Sequence, residues 1–222
     1  MKIEFVLFDG FDDLDAIAPY EVLRHAAHYG APFDPALVGI DGPGTVTSAH
    51  GVSINLGQGL GMPDAVIVPG GGWLDHAATG SWAEARRGTL PAKLAALAGT
   101  VQWFGSVCTG AMLLAEAGLL TGRTATTNRN AWDALAAGGA VVLPHRVVDD
   151  GDIITAGGLT SGIDLALWVT ERWAGPDIAA KTAAALEYRP WNEVWTTPKT
   201  VVAGKYGGPY RDGESLYRPD RD

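Results

Sequence analysis

Apolar residues in this chain fall into short continuous runs separated by longer amphipathic stretches. Residues 3–8 form such a run, closed by Asp9-Gly10, and a short apolar run bounded by turn residues predicts a buried strand. Similar runs at 36–40, 65–68, 101–104, 124–127, 140–143, 146–148 and 153–156 predict further strands. Between them the apolar spacing turns helical. Pro19 is expected to set a first helical turn, Val22, Leu23, Ala26 and Ala27 carry the period, and Gly30 ends it. Further helices are predicted from a cap at Ser81 to about residue 97, over 111–117 with Gly118 as stop, and over 131–137. A capping box of Ser161 and Asp164 predicts one to residue 173, and a cap at Asp177 one to residue 188. The glycine-rich segment 41–61 suits hairpins at an edge, and Asp149-Asp150-Gly151-Asp152 a hairpin turn. From Pro190 the periodicity stops, and 191–222 reads as a C-terminal arm over a domain of residues 1–190, with no internal repeat.

Strands alternating with helices predict an α/β fold: a mostly parallel central sheet with helices on both faces. Ligands of such sheets sit at the carboxyl ends of the strands. Three loops expected there carry Asp15, Gly70-Gly71-Gly72 and Cys108. The last is the most informative. The strand leading to Phe104 passes through Gly105, Ser106 and Val107 into Cys108, the single cysteine of the chain, and a helix follows Thr109-Gly110. A strand running straight into a helix with small residues around the turn is a nucleophile elbow, here with cysteine in the nucleophile position. The helix amides and dipole are expected to lower the thiol pKa. A lone cysteine can also be a small buried apolar residue.

Charge and composition narrow the function. The 222 residues are 47 % hydrophobic and carry a net charge of −9. That argues against a nucleic-acid partner, which needs a basic patch. One cysteine allows no internal disulfide, as expected in a reducing cytoplasm. The acidic start MKIEFVLFDGFDDLD does not suit a signal peptide, and no apolar run approaches a membrane span. The histidines show no ligand spacing, so no metal site is expected.

The segments LDAIAP, VIVPGGG, SVCTGAMLLAEAGLL, TGRTATTN and TAGGLTSGIDLAL, in that order, resemble the ThiJ/PfpI superfamily, a flavodoxin-like group with a cysteine on the elbow. Within it the likeness is nearest to the isocyanide (isonitrile) hydratase subgroup, which shares the aspartate before Ala-Pro, the S-V-C-T-G elbow and a late Leu186-Glu187-Tyr188 segment. The resemblance implies Cys108 as nucleophile, Asp15 as the acid hydrogen-bonded to its sulfur, an anion hole from the amides of Gly71 and Thr109, a homodimer and no cofactor. One departure matters. Many relatives have histidine after the Thr-Thr pair, whereas this chain has Asn128, and an amide cannot act as a general base. A Cys–His dyad is therefore absent from that segment.

The expected chemistry is addition of water to a small-molecule electrophile, an isocyanide first, through a thioimidate on Cys108, with Asp15 protonated beside the thiolate. The pocket is expected to take in Gly70, Gly72, Trp73, Asn128 and Trp132. His76 could reach the site, although a surface place suits it better. The rivals are a related enzyme for another electrophile and a sensor that oxidises Cys108 to a sulfinate held by Asp15. About 30 residues after the domain are too few for an appended DNA-binding pair of helices.

Overall fold

The computed structural model describes residues 1–191 and 194–197. Its elements follow in chain order as β1 (Lys2–Val6), α1 (Asp13–His28), β2 (Asp34–Val38), β3 (Gly44–Thr47), β4 (Ser53–Leu56), β5 (Ala65–Val68), α2 (Ser81–Arg87), α3 (Thr89–Leu97), β6 (Trp103–Val107) and α4 (Gly110–Glu116). Then come β7 (Thr124–Ala125), α5 (Trp132–Ala137), β8 (Val141–Val142), β9 (Val147–Asp149), β10 (Ile153–Ala156), α6 (Ser161–Ala174), α7 (Pro176–Ala185) and β11 (Val194–Thr196). Seven strands form the central sheet in the order β11-β9-β10-β6-β5-β1-β2, parallel from β2 through β10, with β9 antiparallel to β10. This is the expected α/β, flavodoxin-like arrangement.

The apolar runs are continuous because both faces of the sheet are covered. Ile3, Phe5, Ala65, Ile67 and Trp103 pack on the side of α1, α6 and α7, while their neighbours Val6, Val66, Val68 and Phe104 pack on the side of α2, α3 and α4. The predicted hairpin of segment 41–61 is present as β3–β4, and the turn at 149–152 joins β9 to β10.

Several boundaries differ from expectation. Helix α1 starts at Asp13, with Asp12 accepting from the Leu14 amide at 3.1 Å; Pro19 lies inside it. The acidic stretch is therefore the first turn of a helix, where carboxylates suit the dipole. The predicted helix from Ser81 is two helices broken at Gly88, whose φ of 77° closes α2. Ser81 is not its cap; Gly80 is. The Ser161–Asp164 capping box is absent, because Asp164 turns to Arg146 and Tyr188 instead. Asp177 sits within α7 after Pro176, not at its cap. The runs at 124–127 and 140–143 shorten to β7 and β8, which pair with each other outside the main sheet. Residues 194–196 of the expected arm add β11 to the sheet edge, and residues 198–222 lie outside the described ones. Among the described residues no helix is long and apolar enough to cross a membrane.

Candidate active site

The carboxyl ends of β1, β5, β6 and β10 deliver four loops to one place. Strand β6 ends at Val107, and Cys108 follows with φ of 55°. A side chain with a Cβ in the left-handed region costs of order 1–3 kcal/mol, so the surroundings must hold it there. They do so through the backbone. The Cys108 amide donates to the carbonyls of Ala156 (3.1 Å) and Gly157 (2.7 Å), and its carbonyl accepts from Thr127 Oγ1 at 2.7 Å. Helix α4 then starts hard against β5. A Cβ on Gly110 would lie 2.0 Å from the Val68 carbonyl oxygen, so only glycine lets the helix leave the elbow there.

Asp15 comes from the first turn of α1 and is fully buried. Its Oδ2 accepts from the Gly70 amide at 3.1 Å, while Oδ1 has no partner of ordinary hydrogen-bond geometry among the described residues. Gly70 must lack a side chain, because a Cβ would meet the Thr109 amide at 2.5 Å and Asp15 Oδ2 at 3.0 Å. Burial, and then the charge of Asp12, push the Asp15 carboxyl up to about 7, against the opposing bonds from Gly70, the Cys108 thiol and the Leu159 amide. Cys108 is 7 % exposed. Burial first and the Asp15 charge second push its thiol up to about 12, opposed by Asn128 and by the Thr109 and Leu159 amides.

The lowered thiol pKa expected from the helix is thus reversed. Helix α4 has seven residues, and its dipole is outweighed by desolvation and by a neighbouring carboxylate. Burial and the neighbouring carboxylate both oppose the thiolate, so sulfur is the favoured holder of a proton shared by the pair.

The two expected anion-hole residues are differently disposed. The Thr109 amide points its bond at the sulfur. The Gly71 amide instead donates to Thr109 Oγ1 at 3.0 Å. Ser81, buried at the start of α2, completes that link by donating to the Gly71 carbonyl at 2.8 Å and pairing with Thr109 Oγ1 at 3.0 Å. Leu159, at φ of 47°, supplies the second amide that meets both Cys108 and Asp15. Neither Ser81 nor Leu159 stood out in the sequence. Ser81 looked like a helix cap, and Leu159 followed a Gly-Gly pair with no polar side chain to mark it.

Asn128 Nδ2 lies 3.5 Å from the Cys108 sulfur, and its Oδ1 accepts from the Asn130 amide at 3.0 Å. That second bond turns the NH₂ group, a donor only, toward the thiol. Asn128 also forms one wall of a cavity of about 490 Å³, together with Trp132, Arg129, His145, Arg146 and Trp191. Trp132 is fixed there by a bond from its indole to the Thr127 carbonyl at 3.2 Å. The expected pocket residues Gly70, Gly72 and Trp73 are not in this wall. Gly72 shapes the loop before α2, accepting from the Ala77 amide, and Trp73 is buried edge-on to Trp82 at 5.1 Å. His76 is exposed and stacks on Trp82. Among the described residues, no group of three or more His, Cys, Asp or Glu could hold a metal ion.

Comparison with known proteins agrees with this fold. The family model of the DJ-1/PfpI family matches residues 1–172. The isonitrile hydratase of Pseudomonas putida is 35 % identical over 193 residues, 86 % of this chain and 79 % of that protein. A crystal structure of a ThiJ/PfpI family protein from Pseudomonas syringae superposes with a TM-score of 0.76 at 27 % identity, covering 85 % of this chain and 75 % of the other. Drosophila melanogaster DJ-1beta matches with a TM-score of 0.72 at 22 % identity, over 85 % of this chain and 98 % of that one. At that identity the likeness is one of fold.

Proposed function

The chain belongs to the DJ-1/PfpI family, and we propose that it is a cysteine-dependent hydratase adding water to an isocyanide to give an N-substituted formamide. The observation that carries this reading is the buried pair itself: Cys108 in a strained backbone position beside a fully buried Asp15 whose Oδ1 has no ordinary partner. The 35 % identity to an isonitrile hydratase supports the choice of electrophile.

In this mechanism Asp15 is the proton shuttle. As the sulfur attacks the terminal isocyanide carbon, Asp15 takes the thiol proton and delivers it to that carbon, giving a thioimidate. The regenerated carboxylate then accepts a proton from water as the oxygen adds to the same carbon, and the proton passes to the imine nitrogen. Collapse of the tetrahedral adduct forms the formamide carbonyl, breaks the C–S bond and returns the hydroxyl proton to sulfur through Asp15. One water is consumed and the enzyme is restored. The amides of Thr109 and Leu159, with Asn128 Nδ2, stabilise negative charge on sulfur as it departs. Gly71 joins this hole only by releasing Thr109 Oγ1.

We further propose a homodimer in a reducing compartment, a reading supported by the single cysteine and by exposed Leu14 and Leu159 close to the site. The test of function is formamide formation from benzyl isocyanide. Wild type is expected to turn it over and Cys108→Ala to lose all of it; no wild-type turnover, or turnover that survives the substitution, overturns the reading.

A further inference from the structure

The cavity behind Asn128 differs in charge from the chain around it. The protein has 25 acidic residues against 16 Lys and Arg, yet the described residues lining this cavity include two arginines and a histidine and no Asp or Glu. Arg146 is locked in place: its Nε pairs with Asp164 at 2.5 Å, its Nη2 donates to Thr160 Oγ1 at 2.8 Å, and its plane lies over Trp191 at 5.4 Å. Its Nη1 has no protein partner among the described residues. The Asp164 carboxylate that balances it is shared with the Tyr188 hydroxyl (3.0 Å) and the Trp191 amide (3.1 Å). Arg129, which also lines the cavity, is exposed and makes no ion pair among the described residues. Trp132 and Trp191 add flat apolar surface to the same lining.

The inner wall is one side chain from the nucleophile. Asn128 touches both the cavity and the sulfur, and Gly157, whose carbonyl accepts from the Cys108 amide, lines the cavity too. A volume of about 490 Å³ holds an aryl-sized group with room for a substituent. On the reading that Cys108 is the nucleophile, on which this step rests, we propose that the cavity takes the tail of the substrate and that the tail is an aromatic carboxylate. The carboxylate is received by the Arg129 guanidinium with Nη1 of Arg146 beside it, the ring lies against Trp132 and Trp191, and the electrophilic carbon reaches Cys108 past Asn128. A planar two-nitrogen edge suits a carboxylate better than any neutral polar group.

Binding and turnover separate the two readings. Benzoate titrated calorimetrically into Cys108→Ser protein is expected to bind saturably, benzamide at least about tenfold more weakly, and Arg129→Gln to weaken benzoate about tenfold while leaving benzamide unmoved. This readout needs no hydratase activity. In wild type, 4-(isocyanomethyl)benzoate is expected to exceed its methyl ester about tenfold in kcat/KM, and Arg129→Gln to erase that preference. Equal binding of benzoate and benzamide, no benzoate binding, or equal turnover of acid and ester overturns the carboxylate tail. Selective benzoate binding without turnover of either isocyanide overturns hydration of isocyanides and leaves the carboxylate tail standing for another electrophile.

Discussion

The elbow and the cavity beside it are built on opposite plans. Around Cys108 the frame is backbone: carbonyls of Ala156 and Gly157, amides of Thr109 and Leu159, and glycines at 70 and 110 where no Cβ fits, with Asp15, Thr127 and Asn128 as the side chains that reach it. Around the cavity the contacts are long side chains, Arg129, Trp132, Arg146 and Trp191, drawn from segments far apart in the chain. A backbone frame of this kind leaves the thiol little freedom and leaves no room for a side chain at positions 70 and 110. A side-chain site can change its ligand by changing one residue and leave the fold alone. On the function proposed above, chemistry and selectivity are placed on different material, joined through Asn128.

The sharpest way to break the comparison is at the nucleophile. Cys108→Ala is expected to reduce isocyanide turnover below detection, by at least about 10⁴-fold, with the fold retained in circular dichroism. Asp15→Asn is the next largest. It is expected to lower kcat about 10²- to 10⁴-fold and to speed alkylation of Cys108 by iodoacetamide at pH 8, because the carboxylate that opposes the thiolate is gone.

The pH profile carries a sign that can be checked. The shuttle needs Asp15 ionised at the start, so wild-type kcat/KM is expected to rise as pH increases through about 7 and then level. Stability moves the other way. The folded pKa of Asp15 is raised from 3.8 to about 7, so its contribution is full below pH 4 and is lost as pH rises through about 7. The shift corresponds to at most about 4 kcal/mol. Melting curves at pH 5 and pH 8 are expected to show Asp15→Asn gaining on wild type at the higher pH; a constant gap would contradict the buried, proton-holding carboxyl.

Backbone packing predicts that Gly110→Ala destabilises by about 3 kcal/mol in urea unfolding, since the added methyl meets the Val68 carbonyl at 2.0 Å. On the cavity side, effects are smaller and stay local. Trp132→Phe removes one bond to the Thr127 carbonyl and is expected to cost about 1 kcal/mol of stability, with thiol alkylation unchanged. If Trp132→Phe altered the alkylation rate as strongly as Asp15→Asn, the two regions would not be the separate devices described above.

The strands and the elbow were readable because their signals are local. A run such as Ala65–Val68 has no polar residue to offer water, and Cys108 sits where apolar strand gives way to small residues and helix. Asp15, Thr109 and Asn128 lie in the motifs around those strand ends, and the structure brings all three to the sulfur. Helix starts were less readable where two rules competed. Pro19 looked like a first-turn residue, but Asp12 caps the helix almost two turns before it and Pro19 packs against Gly162 of α6.

The sequence by itself determined the layered fold and the place of Cys108 at a strand-to-helix turn, because hydrophobic period and turn composition act over a few neighbouring residues. Only the tertiary structure decided the proton's resting place, the partners of Gly71 and the charge of the cavity. A pKa depends on what is buried beside a group, and Asp15 is 93 positions from Cys108 in the chain. The Gly71 amide is taken by Thr109 Oγ1 and its carbonyl by the Ser81 hydroxyl, from two other segments. Arg129 and Arg146 face the same cavity only after β7, β8 and β9 have folded the chain back, and Asp164, which looked like a helix cap, then holds Arg146 in place.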